Sequence, residues 1–476
     1  MNDASAPPLT AVVLAAGRGT RMRSRLPKVL HPVCGRPMLE YVLSAAGEVT
    51  GTRPLVVISP ATQAVREAFM GTADFAVQDE PRGTADALRA ALAALPEEAA
   101  EIVVLSGDVP LVDPALVRDL ASARGDAGAA MALVSVDVAE PGGLGRVVRD
   151  GSGGVTAIVE ARDASADELA IDEVNAGLYA FDVTWLRRRI EDIGPSAVTG
   201  EVYLTELVRL ARMDDRAVAC LEVEDDGTLL GINDRAELAD AEVEMRLRIN
   251  ERHMRAGVTI VDPATAFIEA GVEIAPDVTL EPFVMLGGAT RIGPDSRIRA
   301  GSQIIDALIG RGCVIWASIL EASVVGDGVR IGPFAHVRGG SQIDDDVELG
   351  NYAEVKNSRV GRGTKSHHFS YLGDADVGAG VNVGAGTITA NYDGHRKHRT
   401  RIGDRAFIGS DTILRAPVSV GQDAVTGAGS VVTHDVPDGT LVMGVPARPR
   451  ERPGASVEPS GTGPGGVAGV GERADG

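Results

Sequence analysis

The stretch Leu14-Ala15-Ala16-Gly17-Arg18-Gly19-Thr20-Arg21-Met22 runs from apolar residues into a Gly-x-Gly turn and then into cations. Glycines at 17 and 19 let backbone N–H groups come close to phosphate oxygens. No acidic residue lies between Asp3 and Glu40, whereas Arg18, Arg21, Arg23, Arg25, Lys28 and Arg36 all do. The whole chain has a formal charge of −21, so this local excess fits a triphosphate site. It is neither a dinucleotide fingerprint, since position 22 is Met, nor a P-loop. Asp108, in Ser106-Gly107-Asp108-Val109-Pro110, follows a second apolar strand. A carboxylate at a strand end opposite a basic Gly loop suits Mg²⁺ bound to phosphates. Without that loop the same residue reads as a cap or turn aspartate.

A second group of reactive side chains comes late. Four of the eight histidines, His367, His368, His395 and His398, lie close together. Adjacent histidines without a Cys or carboxylate set are a weak metal pattern. A general base is the better reading, because a His near neutral pKa can take a proton from an attacking nucleophile. The nearby stretch Asn391 to Arg399 interrupts a repeat and reads as an extruded loop that carries binding groups.

These groups need elements to hold them. Apolar strands at Ala11–Leu14, Leu55–Ile58, Ile102–Leu105 and Met131–Val136 alternate with helical patterns at Met38–Ala46 and Gly83–Ala94. Such alternation predicts a mostly parallel, Rossmann-like α/β sheet with helices on both faces and ligands at the strand carboxyl ends. From Asn233 to Arg255, Leu238, Ala241, Met245 and Ile249 fall three or four apart and predict an amphipathic connecting arm. Beyond it an aliphatic residue recurs every six positions. One run is Ile274, Leu280, Leu286, Ile292, Ile298 and Ile304; another is Val325 to Val355; a third is Ile402 to Val432, broken by Thr426. A period of six suits a parallel β-helix, in which each face of each coil contributes one core aliphatic. Few aromatics (3%) and 58 glycines fit its narrow interior and tight corners.

The expected divisions are 1–232, a helical arm over 233–256, a β-helix over 257–452 and a disordered tail over 453–476. Three separated cysteines, Cys34, Cys220 and Cys313, indicate neither a disulfide framework nor zinc. No secretory signal or membrane-length apolar run is visible, so a cytoplasmic protein is expected. The acidic charge argues against nucleic-acid binding.

The Leu14-to-Met22 loop with Lys28 resembles the signature of sugar-nucleotide pyrophosphorylases. Gln78, Gly83-Thr84, Gly107-Asp108, Gly145-Arg146, Glu160, Asn175-Ala176-Gly177 and Gly231-Ile232-Asn233 follow in that family's order. Joined to the hexads, the chain resembles the bacterial bifunctional N-acetylglucosamine-1-phosphate uridyltransferase/glucosamine-1-phosphate acetyltransferases from about residue 9 to about 450. The resemblance implies two reactions in series. Glucosamine 1-phosphate is acetylated from acetyl-CoA, and UTP then gives UDP-N-acetylglucosamine, a precursor of peptidoglycan and other envelope polymers. It also implies a left-handed β-helix and a homotrimer with shared acetyl-transfer sites.

Residue by residue, the resemblance assigns Leu14, Ala15, Ala16, Gly17, Gln78, Gly83 and Thr84 to the uridine nucleotide. Lys28 and Arg18 fall on its phosphates, with Ser106 and Gly107 in the same site. Gly145, Glu160 and Asn175 go to the sugar, and Asp108 and Asn233 to Mg²⁺. In the β-helix it selects His368 as the base and leaves His367 unassigned. Arg338, Lys356, Tyr371 and Asn382 would hold glucosamine 1-phosphate, with Asn391 and Tyr392 lining the pocket. Ala385, Ser410 and Ala428 would line the acetyl-CoA groove. Glu354 is a candidate to orient His368. One departure stands out: Val445 occupies the position of a family arginine that contacts acetyl-CoA, with Arg448 or Arg450 as substitutes. Two rival readings are a transferase whose β-helix only assembles it, and a non-catalytic sugar-nucleotide scaffold.

Overall fold

The computed structural model describes residues 9–224, 227–229 and 231–450. The tail expected over 453–476 lies outside them. The chain divides into two compact units, Met1–Leu308 and Ile309–Gly476.

In the first unit the buried apolar runs become the sheet. Its strands lie in the order Val218–Val223, Met131–Asp137, Glu173–Asp182, Glu101–Ser106, Leu9–Leu14, Leu55–Ile58 and Asp74–Val77. The pairings among Leu9–Leu14, Leu55–Ile58, Asp74–Val77 and Glu101–Ser106 are parallel. Glu173–Asp182 is antiparallel to both neighbours, which the strand alternation did not reveal. Val12, Val57 and Val104 share a core with Ala85, Leu88 and Ala91 of the helix Thr84–Ala94. The expected arm is the helix Arg235–Arg255, started by Asp234, whose side chain accepts the Ala236 and Glu237 N–H groups. Ala241, Met245 and Ile249 are buried, as their spacing predicts, whereas Leu238 is half-buried and Asn250 and His253 join the buried face.

The first unit also holds the opening coils of the left-handed parallel β-helix. Thr259 pairs with Thr279 and Thr279 with Arg297, while Met285 pairs with Gln303, all in parallel. In the second unit the same stacking runs Val314, Arg330, Glu348, Lys365, Asn382, Phe407, Val425 and Leu441 along one sheet. A second sheet carries His336–Arg338, Ala353–Lys356, Ser370–Gly373 and Ile388–Ala390 in adjacent coils. The six-step aliphatics Ile331, Val337, Ile343, Leu349 and Val355 are all buried. Thr426 breaks the aliphatic rule without an unpaired hydroxyl, because its Oγ1 bonds the Gly409 N–H and the Thr412 hydroxyl, each at 2.9 Å. Coil corners place Phe334, Tyr352 and Asp411 at φ near +60°. Leu441–Gly444 stacks on Val425–Thr426 and then folds back as an antiparallel hairpin with Ala447–Arg450.

Candidate active sites

In the first unit the carboxyl ends of three strands meet. The Gly107 N–H donates to the Leu14 carbonyl, and the Ala15 N–H to the Val57 carbonyl, both at 2.9 Å. A cleft of about 390 Å³ opens there, lined by Leu14, Ala15, Ala16, Gly17, Lys28, Gln78, Gly83, Thr84, Ser106, Asp108 and Glu160. Most of the residues expected in the first site thus fall together. Gly107 joins them through its bond to Leu14.

Local backbone chemistry explains the placement. Gly17 faces open space, leaving room for a ligand. Gly19 has a packing role of its own. It sits at φ +61°, and a side chain there would overlap Lys28, so the turn closes over the lysine stem. The Lys28 ammonium pairs with the Asp108 carboxylate and lies 3.3 Å from Asn233 Oδ1. Arg21 donates to the same Asn233 oxygen at 2.8 Å. Gly83, at φ +141°, abuts the Val202 backbone so closely that a Cβ would overlap its carbonyl oxygen. The Ala85 N–H bonds that carbonyl at 3.0 Å.

Glu160 accepts from the Thr205 hydroxyl at 3.0 Å. Burial pushes its carboxyl above the usual range, partly offset by that bond. Gly145 adjoins it, and the Gly145 carbonyl accepts the Asn175 N–H at 2.9 Å. Asn175 Nδ2 donates to the Tyr179 hydroxyl at 2.6 Å. Arg18 is exposed and makes no ion pair among the described residues. Pro81, Glu201 and Tyr203 also line the cleft and were not anticipated. They come from loops without a motif, brought in by the close packing of residues 202 and 83.

In the second unit the register sets Arg338 beside Lys356 on adjacent coils. Tyr371 lies on the next coil of the same sheet, paired with Glu354. The loop from Asn391 folds over as a hairpin. The His398 N–H donates to the Asn391 carbonyl at 2.7 Å, and Tyr392 bridges Lys397. Asn391 Nδ2 reaches Asp374 at 2.5 Å and the Tyr371 hydroxyl at 3.5 Å. The hairpin also brings Lys397, which the sequence did not single out, to Lys356. A side-chain hydrogen bond with Lys397, and then like-charge repulsion from Lys397 and Arg338, holds the Lys356 ammonium below the ordinary lysine range. Clustered cations of this kind suit a phosphate.

Two expectations change here. Glu354 does not orient His368: its carboxylate accepts from Arg338 at 2.9 Å. The neighbour His367 is the paired histidine, 2.8 Å from Glu348 Oε2, while His368 is exposed and makes no hydrogen bond among the described residues. Asn382 lies on a different one of the three β-helix sheets, between Lys365 and Phe407, apart from the sheet of Arg338, Lys356 and Tyr371. Ala385, Ser410 and Ala428 follow one another at a single corner. The Asp411 N–H bonds the Ala385 carbonyl at 2.6 Å and the Gly429 N–H the Ser410 carbonyl at 2.8 Å. Val445 is exposed at the hairpin tip, with Arg448 and Arg450 exposed on the returning strand.

Comparison with known proteins is consistent across the chain. Residues 11–150 match the model of the MobA-like NTP transferase domain. Residues 322–357 match the bacterial transferase hexapeptide (six repeats), and 399–434 the hexapeptide repeat of succinyl-transferase. The chain is 43% identical to the bifunctional protein GlmU of Kineococcus radiotolerans, over 94% of this chain and 91% of that one. Identity to the GlmU of Thermobifida fusca is 44%, over 92% of each chain. To that of Rubrobacter xylanophilus it is 45%, over 95% of this chain and 96% of the relative.

Proposed function

The chain belongs to the GlmU family of bifunctional enzymes, and on that premise we propose how its residues divide two reactions. The enzyme acetylates glucosamine 1-phosphate with acetyl-CoA and then transfers UMP from UTP to N-acetylglucosamine 1-phosphate, releasing pyrophosphate. Uridylyl transfer is assigned to 1–232, the arm to 233–256 and acetyl transfer to 257–452.

In uridylyl transfer the nucleophile is a sugar phosphate already ionised at neutral pH, so no strong base is needed. The protein must align two anions and offset their repulsion. Lys28, Arg18 and the Leu14–Gly17 backbone take the triphosphate. Gln78, Gly83 and Thr84 hold the uridine, and Gly145, Glu160 and Asn175 the sugar. The observation that carries this reading is the meeting of the Gly loop, the Lys28–Asp108 pair and Glu160 in one cleft. Mg²⁺ fits the same place, since the Asp108 carboxylate and Asn233 Oδ1 already converge on a cation, the Lys28 ammonium. Hard oxygen donors completed by phosphates and water suit this ion. Bound there, it would supply charge neutralisation of the triphosphate.

In acetyl transfer, Arg338, Lys356 and Lys397 neutralise the sugar phosphate, while Tyr371, Asn391 and Tyr392 line the pocket. His368 takes the proton from the attacking amine. The corner of Ala385, Ser410 and Ala428 carries acetyl-CoA, with Arg448 or Arg450 on its phosphates in place of Val445. The separation of Asn382 from the other substrate residues supports a homotrimer in which a neighbouring subunit supplies it. A cytoplasmic setting accords with both co-substrates; no helix among the described residues is long and apolar enough to cross a membrane.

The test is CoA thiol release from acetyl-CoA and glucosamine 1-phosphate, in wild type and His368→Ala, alongside pyrophosphate release from UTP and N-acetylglucosamine 1-phosphate. We expect acetyl transfer to collapse in the variant and uridylyl transfer to persist. Unchanged acetyl transfer in the variant would remove His368 as the base.

A further inference from the structure

We propose that Asp86 sets the base selectivity of the uridylyl site by fixing which end of the Gln78 amide faces the nucleotide. The proposal rests on the uridine reading of the cleft. Gln78 lines that cleft yet is only 4% exposed. Its Nε2 donates to the Gly83 carbonyl and to Asp86 Oδ2, each at 3.1 Å. A carbonyl and a carboxylate accept and cannot donate, so the NH₂ end must face them and both its hydrogens are used. Oε1 remains, and no donor among the described residues bonds it.

Asp86 is itself 8% exposed, on the first turn of the helix Thr84–Ala94. Its other oxygen accepts from Arg82 at 2.9 Å and lies 3.8 Å from Arg89. Burial works against its charge, but the bonds from Gln78 and Arg82 outweigh burial and hold the carboxyl below the usual range. The amide is therefore locked as an acceptor toward the ligand. A base presenting N3–H, as uracil and thymine do, satisfies it. Cytosine presents a lone pair at N3, and two acceptors facing each other in a half-enclosed site are penalised.

The experiment compares kcat/KM for UTP and CTP in wild type, Asp86→Asn and Asp86→Ala. Asparagine has nearly the shape of aspartate but only one acceptor. The charged Arg82 donor claims that oxygen, which turns Nδ2 toward Gln78 and opposes its NH₂ end, leaving the Gly83 carbonyl alone to hold the present orientation. We expect the preference for UTP over CTP to fall at least about tenfold in Asp86→Asn, with a gain for CTP itself. In Asp86→Ala, where the Gly83 carbonyl alone still holds the NH₂ end, the fall is smaller. Retained turnover of either nucleotide reports an intact uridylyl unit, and acetyl transfer at the wild-type rate reports an unchanged second unit. A wild-type preference in both variants, or an equal loss of both nucleotides, overturns the proposal. Wild type that releases pyrophosphate from neither nucleotide would instead defeat the uridine reading beneath it.

Discussion

Lys397 and Arg338 crowd the Lys356 ammonium with like charge, which Glu354 on Arg338 and Asp374 near Lys356 offset only in part, so the pocket favours an anion. Lys397→Ala should let the Lys356 pKa rise and should raise KM for glucosamine 1-phosphate about tenfold, with kcat little changed. Steady-state kinetics at two salt concentrations would check this, and the variant should respond less to salt. Glu160 poses the opposite problem, a half-buried carboxyl with no ion pair among the described residues. Its pKa is raised in the folded chain, so its contribution is fully present below the unfolded value and is lost as pH rises through the folded one. Glu160→Gln should therefore raise the melting temperature of that unit by roughly 2 °C at pH 7, with the gain vanishing below about pH 4. The same change should weaken sugar binding. Asp108 stood out in the sequence because its neighbours fix its setting, and Gln78 only through its place in the family's order of residues. Lys397, Tyr203 and Asp86 did not, because each matters only through a partner that folding brings to it.

At the scale of elements, two turns decide whether the sites form. A Cβ at Gly83 would strike the Val202 carbonyl in a backbone conformation that L-residues avoid. Gly83→Ala should cost about 2–3 kcal/mol and reduce uridylyl transfer far more than acetyl transfer, as paired assays would show. The hairpin after Asn391 is tied by Asp393, whose carboxyl is drawn down to about 2 by the Arg396 N–H first, then by His398 and the His395 N–H. Its contribution is present above the ordinary aspartate range and is lost only as pH falls toward about 2. At pH 7, Asp393→Ala should speed amide exchange across residues 391–399 and raise KM for glucosamine 1-phosphate, leaving KM for acetyl-CoA unchanged. Strands, arm and hexads were readable beforehand because burial enforces a period on each. The pairings of the hairpin were not, since the step from Asn382 to its partner Phe407 gives no hint of which side chains the extra residues carry back.

For the whole molecule, two of the three sheets of the second unit carry different parts of one proposed site. If neighbouring subunits complete it, Lys356→Ala and Asn382→Ala should each be inactive in acetyl transfer alone. Co-expressed in equal amounts, they should recover activity at about a quarter of the sites, since each intact site needs one subunit of either kind. No recovery in trimers shown to be mixed would place Asn382 outside the shared site. Uridylyl transfer should be normal in every combination.

The closing hairpin carries a consequence of another sort. A stack of parallel coils ends in a row of unpaired backbone groups, which is a template for polymerisation. Here Ala447–Arg450 turns back antiparallel over Leu441–Gly444 and presents Arg448, Pro449 and Arg450 at that edge. Proline has no N–H to offer a newcomer, and arginines repel a like edge. Deleting 441–450 would leave Val425–Thr426 bare, and fibre formation or precipitation on concentration would be the outcome to watch by light scattering.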